Sequence, residues 1–307
     1  MPAPGVREST GGDPAVAAQG NSPRKNEAPL SGFRTAEKIV IAYFMYLAIL
    51  AALRDLPLSR IALALLLPAA IAATIWTAIL RPGKWSNLLR NWALLILILV
   101  GYWELQWFAS DRLIPWQQTW LNWDRQVLGA WGLRAAIEAF GPVIPALLEV
   151  SYLCVYAIPP FCLAALYILG RRDRINSFLT TLFMGSFCAY ALLPLFPVQS
   201  PRLVFAGSDL PHVGSAIGTL NVWLLYTFDI STSVFPSGHV AVALSSTLGL
   251  WRALPEKPGL SYFLFAVSTM VYLATIYSRY HYAADGLASV VIAVIAWGLS
   301  SLMEQHA

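Results

Sequence analysis

From Ile39 onward the sequence alternates long apolar runs with short polar intervals. Eight runs carry almost no charge: residues 39–53, 61–80, 92–108, 143–169, 176–195, 237–254, 260–277 and 283–302. A helix rises 1.5 Å per residue and a hydrocarbon core is about 30 Å thick, so these runs predict membrane-spanning helices and not strands. Pro159 and Pro160 fall inside the fourth and longest run, and should bend or break it, because proline removes a backbone donor and clashes with the preceding turn. Between the third and fourth runs, Leu113, Trp116, Trp120, Trp123, Val127 and Trp131 recur at three- and four-residue steps, which puts them on one helical face. That stripe predicts a helix lying in the membrane interface or packed on the bundle; either way it roofs one side and could gate lipid access.

Residues 1–35 are rich in Pro, Gly, Ala, Ser and charge with no apolar period, which predicts a disordered tail, and the absence of a hydrophobic stretch before Ile39 predicts no signal peptide. The expected fold is all-α: a polytopic membrane helix bundle of about eight transmembrane helices plus an interfacial helix. Its expected organisation is a tail over 1–35, N-terminal transmembrane and interfacial helices over 36–141, and a C-terminal helical unit over 142–303. No internal repeat is visible.

Composition strengthens the membrane assignment. Of 307 residues 58% are hydrophobic and 12% charged, and mean hydropathy is +0.61, more apolar than a soluble domain carries. Twelve Trp and thirteen Tyr suit a chain whose amphipathic rings collect at the headgroups. The net charge of +4 does not imply nucleic acid, since the basic residues scatter over loops and form no groove-sized run. They speak instead to orientation. With the amino terminus in the cytoplasm, thirteen of the twenty Lys and Arg fall inside, and the outer loops keep Arg54, Arg60, Arg112, Arg125, Arg134, Arg202 and Arg279. This predicts a multi-pass plasma (inner) membrane protein with both termini cytoplasmic. Cys154, Cys162 and Cys188 all lie in apolar runs, so neither a disulfide framework nor a cysteine metal site is expected.

Under that topology three polar clusters converge on the extracytoplasmic face: Ser200-Pro201-Arg202, Pro236-Ser237-Gly238-His239, and the stretch from Ser278 through Arg279 and His281 to Asp285. His281 and Asp285 are four residues apart, so on one helical face the carboxylate can accept the proton of one imidazole nitrogen and leave the other free to attack phosphorus. Ser237 can cap the sixth run, whose first N–H groups and dipole then favour an anion, with Gly238 beside it. His239, next to that anion, should be held protonated and act as general acid towards a departing alkoxide. Arg202 and Arg279 are the arginines beside these clusters, and guanidinium forks suit the equatorial oxygens of a phosphoryl group. Taken singly, each feature also has a plainer reading: a structural His-Asp pair, a helix start, arginines snorkelling to lipid headgroups. Two His and one Asp engaged as acid, base and nucleophile leave no tetrahedral ligand set, so catalysis with neither metal nor cofactor is expected.

These residues resemble the motifs of the type 2 phosphatidic acid phosphatase superfamily, which includes vanadium haloperoxidases and sphingolipid phosphotransferases. Pro236-Ser237-Gly238-His239 and His281-x-x-x-Asp285 match its second and third motifs in order and separation, and the resemblance extends roughly over residues 145–302. It implies a six-helix phosphatase-like catalytic core within 142–303, with His281 as nucleophile, Asp285 as its orienter, His239 as acid and base, and Ser237 and Gly238 on the phosphate. The first motif of the lipid phosphatases, a Lys followed seven residues later by Arg-Pro, is absent. Phe196-Pro197-Val198-Gln199-Ser200-Pro201-Arg202 stands there and is more similar to the inositol phosphorylceramide synthase-like branch. Where the phosphatases have an Arg six before the nucleophile this chain has Thr275, with Arg279 one helical turn on, and Ser289 stands where this branch often has Gly.

The expected activity is therefore a lipid phosphatase or phosphotransferase. Its substrate would be a phosphatidate, an isoprenyl (di)phosphate or an inositol phospholipid, and its acceptor water or an alcohol such as inositol. A haloperoxidase fits poorly, since those relatives are soluble. From a different class, a transporter or lipid-binding protein would use His239, His281 and Asp285 as a proton relay. Glu104 and Glu149 are suspects as intramembrane acids, Glu149 with Tyr152 and Tyr156 on its face as a wall of the substrate cavity. His212 and His306 read as surface residues, and Asp209 and Asp229 flank an outer loop that could meet an acceptor headgroup.

Overall fold

The computed structural model describes Met1 and residues 32–109, 115–205, 209–228, 230 and 232–305. Residues 2–31 of the predicted tail over 1–35, together with Leu113, Asp229 and His306, lie outside the described residues. Those described form thirteen α-helices and no strand. In chain order they are α1 (Thr35–Leu53), α2 (Leu58–Leu80), α3 (Lys84–Glu104), α4 (Trp116–Arg125), α5 (Leu133–Glu138), α6 (Val143–Leu153) and α7 (Ile158–Ile168), then α8 (Ile175–Leu192), α9 (Pro201–Val204), α10 (Ala216–Phe228), α11 (Gly238–Ala253), α12 (Pro258–Tyr277) and α13 (Ala283–Gln305).

Six helices, α1, α2, α3, α8, α12 and α13, are long and apolar enough to cross a membrane, and α6 with α7 makes a seventh span if their bent pair is counted as one. The bend is 65°, with Pro159 and Pro160 at the first positions of α7, where their missing N–H groups have no intrahelical partner to lose. The sixth predicted run is α11, whose 16 residues fall short of a lipid-crossing length of about 20. It ends at Ala253 because Leu254 leaves helical geometry, with φ −132° and ψ 57°.

Helix α11 needs no lipid-facing length because it is buried around most of its circumference between α8, α12 and α13. Small residues make this possible: a Cβ on Gly185 of α8 would overlap the Ser245 hydroxyl of α11, so the two axes approach at a point only glycine allows. At the end of α11 away from the clusters, Arg252 donates to Ser300 Oγ (2.5 Å), to Thr181 Oγ1 (3.2 Å) and to the Trp297 carbonyl, tying α8, α11 and α13 together. By contrast α2 buries little beyond Ala64, Pro68, Ile71, Ile75 and Ala78, and turns its remaining apolar surface outward, as a lipid-facing helix must.

The first helix begins at Thr35, four residues before the apolar run, because Glu37 is fixed there. Its carboxylate accepts from Arg34 (2.8 and 3.1 Å) and from Arg90 of α3 (2.6 and 2.7 Å), while Arg34 also donates to Asn91 (2.6 Å). The tryptophan stripe is divided by the structure. Trp116, Trp123 and Trp131 are exposed, whereas Trp120 packs inward with Gln117, Leu121 and Asp124, so the inner face of α4 follows residues 117, 120, 121 and 124.

Candidate active site

Three loops meet beneath α4. The Ser200 cluster runs into α9, the Ser237 cluster starts α11, and the Ser278 cluster joins α12 to α13. Backbone bonds hold them in register: the Arg202 amide donates to the Arg279 carbonyl (3.1 Å), Ser237 to the Asp285 carbonyl (3.2 Å), and Val234 to the Val198 carbonyl (2.8 Å). Ser289 contributes a bridge that its position in the motif did not announce. Its hydroxyl lies 2.8 Å from the Ser237 carbonyl and 3.0 Å from that of Asp285, fastening the start of α11 to the first turn of α13.

A cavity of about 200 Å³ opens among them, walled by Ser200, Arg202, Gly238, His239, Tyr280 and His281 and, on its apolar side, by Leu193, Leu203, Val222, Leu225 and Ile230. The two histidine rings stand 6.0 Å apart, edge to face. Nδ1 of His281 lies 2.9 Å from the Val234 carbonyl and 3.4 Å from Oδ2 of Asp285. A carbonyl only accepts, so Nδ1 carries a proton, and Nε2 is the nitrogen turned away from both acceptors. The orienting of His281 is thus shared: Val234 holds the shorter contact, and Asp285, fully buried, backs it with Oδ2 while also accepting from the Tyr282 amide (2.9 Å). His239 stacks on Tyr152 (centroids 4.6 Å apart, 20°), and its Nε2 is 3.3 Å from the Tyr156 hydroxyl.

Ser237 and Gly238 divide the work expected of them together. Ser237 is fully buried and its hydroxyl accepts from the Val240 amide at 3.4 Å, so its side chain caps α11, while Gly238 forms part of the cavity wall. A Cβ on Gly238 would come within 2.9 Å of the Tyr190 ring, so the helix start sits closer to its neighbour than a side chain permits.

The two arginines also part company. Arg202 lines the cavity, donates Nε and Nη2 to the Ser278 carbonyl (3.1 and 2.8 Å) and lies over the Tyr280 ring at 5.4 Å. Arg279 is buried at φ +62° and pairs with Asp124 of α4 at 2.6 Å, away from the cavity wall. Expected beside Arg202 on phosphate, it instead gives Nη1 to a carboxylate 155 positions earlier in the chain and is not among the residues that line the cavity. Burial lifts the Asp124 carboxyl above its ordinary range, and Arg279 and the Ala283 amide pull it partway back.

Glu149 organises the cavity from behind. It accepts from Ser278 Oγ (2.5 Å), the Tyr280 hydroxyl (3.0 and 3.2 Å) and Asn221 Nδ2 (2.7 Å), and it faces a second cavity of about 290 Å³ that shares Arg202 and Tyr280 with the first. Burial and this carboxylate drive the Tyr280 phenol well above its usual pKa. Glu104 is buried, with neither carboxylate oxygen hydrogen-bonded among the described residues, and lines neither cavity. His212 lies outside the site at Glu138 (3.3 Å), and Asp209 pairs with Arg125 at 2.7 Å. Among the described residues no group of three or more His, Cys, Asp or Glu is placed to hold a metal ion.

A sequence model of the family described as the PAP2 superfamily matches residues 118–299. A PA-phosphatase related-family protein of Dictyostelium discoideum is 23% identical over 219 residues, 62% of this chain and 38% of that protein. The chain therefore matches well under half the length of that curated relative. No solved structure matches the chain.

Proposed function

This chain belongs to the PAP2 superfamily, and on that premise we propose that it is an integral membrane lipid phosphatase or phosphotransferase working through a phosphohistidine on His281. The observation that carries the reading is the pair of facing histidines in one cavity, with Nδ1 of His281 given to Val234 and Asp285 so that Nε2 is the nucleophilic nitrogen.

In the first step Nε2 attacks phosphorus, the bond from phosphorus to the leaving oxygen breaks, and His239 gives that oxygen its proton. Arg202 and the backbone N–H groups at the start of α11, beginning at Gly238, hold the phosphoryl oxygens. In the second step His239, now neutral, takes a proton from water or an alcohol, which displaces His281 from phosphorus. Water as acceptor gives hydrolysis; an alcohol such as inositol gives transfer. The apolar wall from Leu193 to Ile230 suits a lipid phosphoester of the phosphatidate, isoprenyl (di)phosphate or inositol-phospholipid type. The charge asymmetry of the loops supports cytoplasmic termini and a site open to the extracytoplasmic leaflet.

The test incubates purified protein and its His281→Ala variant with radiolabelled phosphatidic acid, isoprenyl diphosphate and phosphatidylinositol, with and without inositol. Free phosphate or a transferred headgroup, lost in the variant and blocked by vanadate, is the expected result. No turnover across the panel, with proton-coupled transport surviving in liposomes, would replace this reading with that of a transporter.

A further inference from the structure

Helix α4 touches every loop of the site. Gln117 Nε2 donates to the Gln199 carbonyl (3.1 Å) beside the Ser200 cluster, and Trp120 packs on Phe235 (5.1 Å) beside the Ser237 cluster and on Tyr282 (5.8 Å) beside the nucleophile. The most specific contacts are those of Asp124. Its Oδ2 accepts from Nη1 of Arg279 at 2.6 Å and its Oδ1 from the Ala283 amide at 3.0 Å, with both charged side chains all but inaccessible to solvent. Arg279 and Ala283 are each two residues from His281, so one carboxylate grips the loop on both sides of the nucleophile.

Two physical features make this grip consequential. Arg279 sits at φ +62°, a left-handed conformation that a non-glycine residue holds only when its surroundings fix it, and the Asp124 ion pair is what fixes this side chain. Ala283 is the first residue of α13, where an N–H with no acceptor in its own helix and the positive helix end favour a carboxylate. Without Asp124, Arg279 would be a buried charge with no partner and the helix start would lose its acceptor.

We infer that Asp124 is a positioning residue for His281, setting the place of the nucleophile through Arg279 and Ala283, so that α4 is part of the catalytic scaffold and not only its roof. The inference rests on the reading of His281 as nucleophile, but its structural half stands independently. A displacement of about 1 Å in a reacting group costs on the order of 100-fold in rate, so the effect belongs in kcat and not in substrate binding.

The test compares the wild type with Asp124→Asn, Asp124→Ala and Asp124→Asn/Arg279→Gln, the last removing both charges so that no unpaired ion is left to unfold the protein. Purified protein in detergent micelles is assayed on a short-chain lipid phosphoester, and the amides of residues 278–285 are followed by hydrogen exchange. Each variant should lose about 10- to 100-fold in kcat with KM within about threefold, and exchange should rise in 278–285 while α8 and α11 stay protected. Unchanged exchange in that loop overturns the inference, as does a kcat within twofold of wild type. If the wild type turns over no phosphoester, the proposed function fails on that result alone, and the exchange comparison still decides whether Asp124 holds the loop.

Discussion

The loop that carries His281 has two faces, and they are built on opposite principles. One face opens onto the cavity: His281, Tyr280 and, across from them, Arg202, whose guanidinium is hydrogen-bonded to one carbonyl yet lines the space where a phosphate would sit. The other face is sealed against α4: Arg279, Tyr282 and Ala283, each held by a side chain of that helix. Each face holds one arginine. The arginine on the open face is available to a ligand, and the one on the sealed face is consumed by the fold. Changes on the open face should therefore strike chemistry, and changes on the sealed face should strike stability and geometry.

The largest effect expected is on the open face. His281→Ala should lower phosphoester turnover by about 10⁴-fold or more, an effect of about 5 kcal/mol on the barrier, while leaving thermal unfolding near the wild-type midpoint. An equally large fall in unfolding temperature would move His281 from the chemistry to the scaffold. Next comes the sealed face. Arg279→Ala leaves Asp124 buried and unpaired, and should cost about 3–5 kcal/mol of stability, read by denaturation in detergent. A variant as stable as wild type would mean that Arg279 does not belong to the sealed face. Arg202→Ala should cost about 100-fold in turnover, or about 2.7 kcal/mol, with little change in stability, so that it shares a loss of turnover with Arg279→Ala but not the loss of stability. If the two arginine variants lost equal stability, the distinction between the faces would collapse. The smallest effect is at the hydroxyl beside His239: Tyr156→Phe removes the group that lies 3.3 Å from its Nε2, and should change turnover by about threefold or less.

The same contrast separates what was legible in the sequence from what was not. The spans announced themselves through runs of apolar residues, and the open face through short motifs in which neighbouring residues do related work, so His239, His281, Asp285, Gly238 and Arg202 could be named before their geometry was known. The sealed face has no such signature. Asp124 and Arg279 are 155 residues apart, and nothing in the spacing of either points to the other. The tryptophan stripe led to the right helix but not to the residues that hold the loop, since periodicity identifies a face without saying which side chains along its edge turn inward. Val234 was invisible for a different reason: it acts through a backbone carbonyl, and any residue at that position would offer one. Glu149 was visible as an intramembrane acid, but its three donors, Ser278, Tyr280 and Asn221, come from elements that only the tertiary fold brings together. Gly185 and Ser289 belong with these, since their value lies in how closely α8, α11 and α13 approach.

If His281 forms a covalent bond to phosphorus, the intermediate can be trapped. Enzyme mixed with labelled lipid phosphoester is quenched in alkali within one turnover, since phosphohistidine is lost in acid, and the peptide spanning residues 278–285 is sequenced by mass spectrometry. A phosphate on His281 is expected to appear before free product, to decay as product accumulates, and to be absent from the His281→Ala variant. Product formed at full rate with no label on His281, or with the label on another residue, would contradict that expectation.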